Sequence, residues 1–258
     1  MHLLLYLIIL LYSLMLKVDN YLMKNKYAFI LTITVICSLL LSLVSEVLKE
    51  RQSKNIAIDR KKNILSAVGV DISKFSILDI DQYFIDNIDT LIITTEGSVV
   101  NNISIESLFE KENSQTGEIK YFDQKEEEFL PIYTEKASKA IILPVSGKGL
   151  WGSLYGYFAL DADNFSTVKG ITFYKHKETP GLGAEISEKW FQSNFIGKEI
   201  YGNDVLTSIN VTKAGLADKS ALHEVDGISG ATITSNGVTD LLKRDLKRYE
   251  PYFIKNKK

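Results

Sequence analysis

Cysteine is nearly absent: Cys37 is the single one in 258 residues. That excludes an internal disulfide, a Cys-ligated iron–sulfur cluster and a CxxC zinc site. Histidine is almost as scarce, with His2, His176 and His223 scattered and at no metal-ligand spacing, so no metal site is expected. No C-x-x-C-H offers haem attachment, and no G-x-G-x-x-G opens a helix after a strand. Charge is almost balanced at −2, from 30 basic and 32 acidic residues, which leaves no electrostatic footprint for nucleic acid. Arg60-Lys61-Lys62, the Lys255–Lys258 tail and Glu126-Glu127-Glu128 read as solvated surface. There is no nucleophile–base pair, internal repeat or low-complexity tract. No residue is assigned a catalytic role, and whatever chemistry this chain does is borrowed.

Long apolar runs are present, and they come first. His2–Leu16 is short for a bilayer span, which takes about 20 residues. Tyr27–Val47 carries no charge before Glu46 and reaches about 31 Å at helical rise. It lacks a small-x-small cleavage site, so it reads as an uncleaved anchor. Ile36 is too bulky for lipoprotein processing at Cys37, which reads as a membrane-buried thiol. The domain reading is 1–22 as an N-terminal extension, 23–48 as a single transmembrane anchor, 49–70 as a stalk helix and 71–258 as a folded domain. A second span within 1–22 would reverse the side on which that domain lies. The basic residues after the span (Lys49, Arg51, Lys54, Arg60, Lys61, Lys62) outnumber those before it (Lys17, Lys24, Lys26). By the positive-inside rule alone, the domain would be cytoplasmic.

Beyond the stalk, Asp71–Phe84 is a short mixed segment, Leu91–Thr95 a strand and Asn101–Asp123 polar loop. Phe129–Tyr133, Lys139–Val145, Leu154–Leu160 and Val168–His176 follow as β-branched and aromatic strands, punctuated by Pro131, Gly147, Gly149 and Gly170. A helix is expected over Ala184–Phe195, a strand near Val205–Val211 and a final amphipathic helix with Val238, Leu241, Leu242 and Leu246 on one face. Strands and helices without a βαβ repeat define an α+β domain, a mostly antiparallel sheet with flanking helices.

Just before the final helix stands Asp226-Gly227-Ile228-Ser229-Gly230-Ala231-Thr232-Ile233-Thr234-Ser235, four hydroxyls on small, bendable backbone beside an acid. Thr234 or Ser235 is the expected N-cap. The preceding loop then empties onto a helix N-terminus, where free N–H groups and the macrodipole favour an anion such as phosphate. Two further segments stand out: Gly147-Lys148-Gly149-Leu150-Trp151-Gly152 between two strands, and His176-Lys177-Glu178-Thr179-Pro180-Gly181-Leu182-Gly183-Ala184. Taken alone, the first is a glycine-rich hairpin and the second a turn with positive φ at Gly181.

Together these stretches match D-G-x-[ST]-G-A-T, G-K-G-L-W and E-T-P-G-L-G, in that family's order and spacing. The chain resembles the covalent-FMN family that includes the C subunit of the Na⁺-translocating NADH:quinone reductase and the related G subunit of the Rnf electron-transport complex. The resemblance runs over roughly Lys24 to Phe253 and is weakest over Asp71–Lys125. It implies a covalent FMN, attached by a flavin transferase through a phosphoester to Thr232, with Ser229, Gly230 and Ala231 in the attachment loop. It further implies that Glu178, Thr179, Leu182 and Gly183 line the flavin and that Asp226 and Gly227 belong to the signature the transferase recognises. An isoalloxazine ring also wants apolar faces and backbone donors, which Leu150, Trp151, Leu182 and the N–H groups around Gly181–Gly183 can offer. The implied role is electron relay toward quinone within a multi-subunit enzyme of the inner membrane. The FMN domain would then be extracytoplasmic, with partner subunits and membrane lipid around it. NADH oxidation and the sodium path fall to those partners. The reading as the sodium-pump member is preferred on chain length, on the insertion before Phe129 and on the ending Lys247–Phe253. The alternatives are the Rnf G subunit and a free-standing anchored FMN module.

Overall fold

The computed structural model describes residues 26–218 and 220–257. The expected extension 1–22, including His2–Leu16, lies outside the described residues. The chain divides into two compact units at Ala57–Ile58, inside the stretch expected as stalk.

Helix α1, Lys26–Ala67, is continuous, so the expected anchor and stalk are a single helix. Among the described residues it is the helix long and apolar enough to cross a bilayer. In the first unit its apolar side chains point outward on every side, with Ile30, Leu31, Val35, Leu39 and Leu41 all exposed. Such an all-round apolar surface suits hydrocarbon rather than water. Its hydroxyls are already satisfied: Thr32 Oγ1 donates to the Ala28 carbonyl and Thr34 Oγ1 to that of Ile30, each at 2.9 Å. Neither hydroxyl is left wanting water, as a bilayer demands. Toward residue 57 the surface turns charged, with Lys54 paired to Glu50 at 2.8 Å.

The second unit is built on one antiparallel sheet. Its strands are β1 (Ile88–Thr94), β2 (Val99–Val100), β3 (Phe109–Glu112), β4 (Ile119–Phe122), β5 (Glu128–Glu135), β6 (Ala140–Lys148), β7 (Ser153–Asp161) and β8 (Val168–Lys175). The order is β2-β1-β5-β6-β7-β8, with the β3–β4 hairpin joined to β5 through β4. Alternation along the strands feeds two cores. Tyr133, Ile142, Tyr157 and Ala159 face the last turn of α1 (Ile64, Leu65, Ala67) and helix α2, Ile77–Asn87, whose Ser76 and Asp79 form a reciprocal capping box. Leu130, Ile132, Leu143, Phe158 and Leu160 belong to the opposite core, with the final helix α4, Thr232–Asn256. Its buried Val238, Leu241, Leu242 and Leu246 are worth about 1.5–3 kcal/mol each in removed apolar surface. The α+β class with a mostly antiparallel sheet is therefore observed.

Several local expectations are corrected. Asp71–Phe84 contains most of α2, and the polar Asn101–Asp123 contains the β3–β4 hairpin. A single helix over Ala184–Phe195 does not form. A 3₁₀ turn, Gly183–Ser187, is followed by α3, Lys189–Ser193, because Glu188 between them is extended. Val205–Val211 is two short pieces: β10 (Val205–Leu206) pairs with β9 (Tyr201–Gly202), and β11 (Asn210–Val211) lies parallel to β12 (Glu224–Val225).

Candidate functional site

Topology brings the three motifs to one end of the sheet. Nine residue pairs hold β6 to β7, from Ala140–Asp161 to Lys148–Ser153, so Gly149–Gly152 is the hairpin tip. The Gly149 N–H closes it on the Gly152 carbonyl at 2.8 Å, leaving Leu150 and Trp151 exposed at the apex. Strand β8 runs beside β7 and ends at Lys175, so His176–Ala184 emerges at the same end. Helix α4 crosses β6. A Cβ on Gly147 would meet Leu241 and one on Gly237 would strike the Lys148 carbonyl, so only glycine permits this approach. The helix N-terminus is thereby set against the hairpin tip.

The helix start differs from expectation. Thr234 and Ser235 are not caps: α4 begins at Thr232, and Ala231 occupies the N-cap position with no side-chain capping bond. Both hydroxyls are buried in the first turn. Ser235 Oγ accepts the Ile228 N–H at 3.2 Å, while Thr234 Oγ1 donates to the Glu178 carboxylate. Local capping rules could not reveal a partner 56 residues away. Thr232 and its neighbour Ile233 are exposed, and so are Ser229 and Gly230. The helix supplies no acid to its own first turn, and the N–H groups of Thr232 and Ile233 have no acceptor inside the helix, which favours an anion beside Thr232. The Glu178 carboxylate at Thr234 offsets part of that potential.

Glu178 links all three motifs. It is 5% exposed, and it accepts the Trp151 N–H at 2.9 Å and the Leu150 N–H at 3.3 Å as well as the Thr234 hydroxyl. The Thr179 carbonyl accepts the Leu182 and Ala184 N–H groups at 3.1 Å each, closing the turn around Gly181 at φ +74°. Leu182 is exposed, Thr179 and Gly183 stand beside it in the turn, Gly183 is buried against Glu178 and Thr234, and the Leu182 side chain reaches Gly230, itself at φ +75°. Asp226 Oδ1 accepts the Gly215 and Ala217 N–H groups at 2.8 and 3.1 Å, so this acid ties its segment to the loop that follows β11. A Cβ on Gly227 would strike the Thr212 carbonyl.

Behind the site lies a buried ionic group. Asp245 on α4 accepts the Ser146 N–H at 2.8 Å and pairs with Arg244 at 2.8 Å, while Arg248 pairs with Glu128 at 2.8 Å and with Glu118 at 3.3 Å. Burial pushes the Asp245 carboxyl up to about 6 against the pull of the two arginines. His176 and His223 are local: His176 Nδ1 accepts the Glu178 N–H at 3.2 Å, and His223 Nδ1 lies 2.6 Å from the Glu199 carbonyl. A groove of about 490 Å³ opens beside the start of β8, lined by Ala67, Asp71, Lys169 and Lys189 among others, away from the motif residues. Among the described residues no cluster of three metal-ligating side chains occurs.

The arrangement is that of a surface cofactor holder rather than a closed catalytic pocket. An exposed hydroxyl sits at an uncapped helix N-terminus, at the end of the domain that also carries the exposed apolar side chains of Leu150, Trp151, Leu182 and Ile233. Residues 149–247 match the FMN-binding domain family. The residues present fit such a group, with helix N–H groups at Thr232 and Ile233 for a phosphate and exposed apolar side chains for a ring.

A relative from Haemophilus ducreyi, the C subunit of a Na⁺-translocating NADH-quinone reductase, is 31% identical over 88% of this chain and 92% of its own length. The protein of the same name from Vibrio alginolyticus is 30% identical over 85% and 89%. The crystal structure of the corresponding protein from Parabacteroides distasonis superposes with a TM-score of 0.65 at 29% identity, over 80% of this chain and 96% of the other. The Shewanella oneidensis NqrC structure shares the fold at 23% identity and a TM-score of 0.61, over 76% of this chain and 94% of the other. The chain belongs to the family of Na⁺-translocating NADH-quinone reductase C subunits.

Proposed function

We propose that this chain is the membrane-anchored flavin subunit of a Na⁺-translocating NADH:quinone reductase. It carries FMN phosphoester-linked to Thr232 and relays electrons between partner subunits toward quinone. The observation that carries this reading is the contrast between two threonines two residues apart. Thr232 is exposed at the first position of an uncapped helix, whereas Thr234 is buried and donates its hydroxyl to Glu178. A transferase needs a reachable hydroxyl, and Thr232 offers one where helix N–H groups stabilise the phosphate charge.

FMN, when bound, supplies the electron-transfer chemistry. The protein's share is to hold and orient it. Ser229, Gly230 and Ala231 give the attachment loop room, Asp226 and Gly227 fix its shape, and Leu150, Trp151 and Leu182 supply apolar surface. Thr179 and the turn at Gly181–Gly183 supply polar backbone near the ring. The exposed rim suits a relay that must approach partner subunits. Tyr27–Val47 anchors the chain in the inner-membrane lipid and places residues 71–258 outside the cytoplasm, where a flavin transferase completes the protein.

The test is co-expression of the full chain with a flavin transferase. Wild type should give a fluorescent band on a denaturing gel, Thr232→Ala should give none, and Thr234→Ala should stay fluorescent. Fluorescence retained by Thr232→Ala and lost by Thr234→Ala would move the acceptor to Thr234. Protease added to intact spheroplasts should digest the domain, and full protection would contradict the topology.

A further inference from the structure

The Glu178 carboxylate has no room to be merely a wall of the site. It is buried, and its three acceptor bonds run to backbone N–H groups of the hairpin tip and to a hydroxyl on α4. Two glycines make way for it: a Cβ on Gly149 would lie 2.6 Å from Glu178 Oε1, and one on Gly183 would lie 2.6 Å from Oε2. Its acceptor bonds come from neutral donors, and those donors belong to the segments that carry Trp151 and Thr232. Breaking the bonds would leave a buried carboxylate short of partners and free the tip to move.

We infer that Glu178 is a positioning residue: it clamps the Leu150–Trp151 tip to the first turn of α4 and so fixes where the ring of a flavin on Thr232 lies. The same bond occupies the Thr234 hydroxyl and leaves Thr232 as the free acceptor. This inference rests on the FMN reading above, but the clamp itself can be measured without flavin.

The experiment has two arms, both on the full chain in detergent. In the first, the Thr232→Ala background removes the proposed attachment, and amide hydrogen exchange is followed at Leu150 and Trp151. Glu178→Ala and Thr234→Val should each speed exchange there about tenfold or more, the scale of one lost hydrogen bond to a charged group. Thr234→Ser, which keeps the hydroxyl, should restore protection. Unchanged exchange in Glu178→Ala overturns the clamp whether or not the chain takes flavin. In the second arm the same variants keep Thr232 and are loaded by the transferase. Glu178→Ala and Thr234→Val should still be labelled but show a shifted flavin absorbance and midpoint potential, with Thr234→Ser returning both to wild type. Loss of amide protection with an unshifted flavin would overturn the positioning role. Should Glu178→Ala not fold, Thr234→Val decides both arms. A wild-type chain that takes no flavin would count against the attachment reading, while the first arm still decides the clamp.

Discussion

Replacing Gly183 with alanine puts a side chain into the one place where the carboxylate and the first turn of α4 meet. The backbone there is not in the left-handed region, so the cost is steric. A Cβ would stand 2.6 Å from Glu178 Oε2, 2.6 Å from Thr234 Oγ1 and 2.9 Å from Glu178 Cβ. Carbon in ordinary contact keeps about 3.5–4.0 Å, so roughly 1 Å must be found. The Glu178 Cβ cannot yield without its backbone, and either oxygen can yield only by stretching a hydrogen bond. Overpacking of this kind costs about 1–3 kcal/mol, and a weakened charge-assisted bond adds about 1 kcal/mol. The total of about 2–4 kcal/mol corresponds to a fall in Tm of roughly 4–16 °C for a domain of this size. Gly197→Ala is the matched control, beside the start of β8 and so at the far end of that strand from the site, where the Gly197 N–H bonds the Val168 carbonyl. Its φ of +79° makes alanine strained by about 1–2 kcal/mol, but no atom lies within 4 Å of the added carbon. Both variants should melt earlier by circular dichroism in detergent. Below the melt, only Gly183→Ala should shift the absorbance of the attached flavin. Gly183→Ala melting like wild type, or Gly197→Ala shifting the spectrum equally, would contradict this steric argument.

Asp226→Ala removes the acceptor for two loop N–H groups and should lower stability by about 1–2 kcal/mol, or roughly 2–8 °C in Tm. Asp226→Asn keeps a carbonyl acceptor and should lose less. The pH response follows from Asp245, whose folded pKa of about 6 lies above its ordinary value of 3.8. The folded chain therefore holds this proton more tightly than the unfolded chain, and the contribution of this group to stability is lost as pH rises from about 4 to about 6. In denaturation experiments the stability of wild type relative to Asp245→Asn should fall across that window, since the other carboxylates contribute alike to both. Parallel curves would mean that Asp245 is charged throughout.

Long, periodic elements are legible in the sequence because their signals are local. The apolar run Tyr27–Val47, the strands from Phe129 to His176 and the stripe Val238–Leu246 all follow from side chains seeking one face or one solvent. The β3–β4 hairpin is not legible: Phe109–Glu112 is exposed along its length, so no burial pattern marks it. The helix expected over Ala184–Phe195 fails for a backbone reason, the extended Glu188, which its composition does not announce. The site divides in the same way. Its glycines and the loop before α4 read as phosphate-friendly, and the turn at Gly181 follows from Pro-Gly. What joins the motifs, the bonds from Leu150, Trp151 and Thr234 to Glu178, spans 27 to 56 residues of chain and has no local signature. Helical spacing points to Thr234 or Ser235 as a cap because hydroxyls usually serve there. Burial of both in the first turn gives them other partners.

Mass spectrometry of the wild-type chain, purified after co-expression with a flavin transferase, reads the attachment itself. The tryptic peptide Ser220–Lys243 carries both candidate threonines, and fragmentation separates them. Attachment at Thr232 gives a gain of FMN less one water located on that residue. The same mass on Thr234, or an unmodified peptide from a chain matured beside an active transferase, would contradict it.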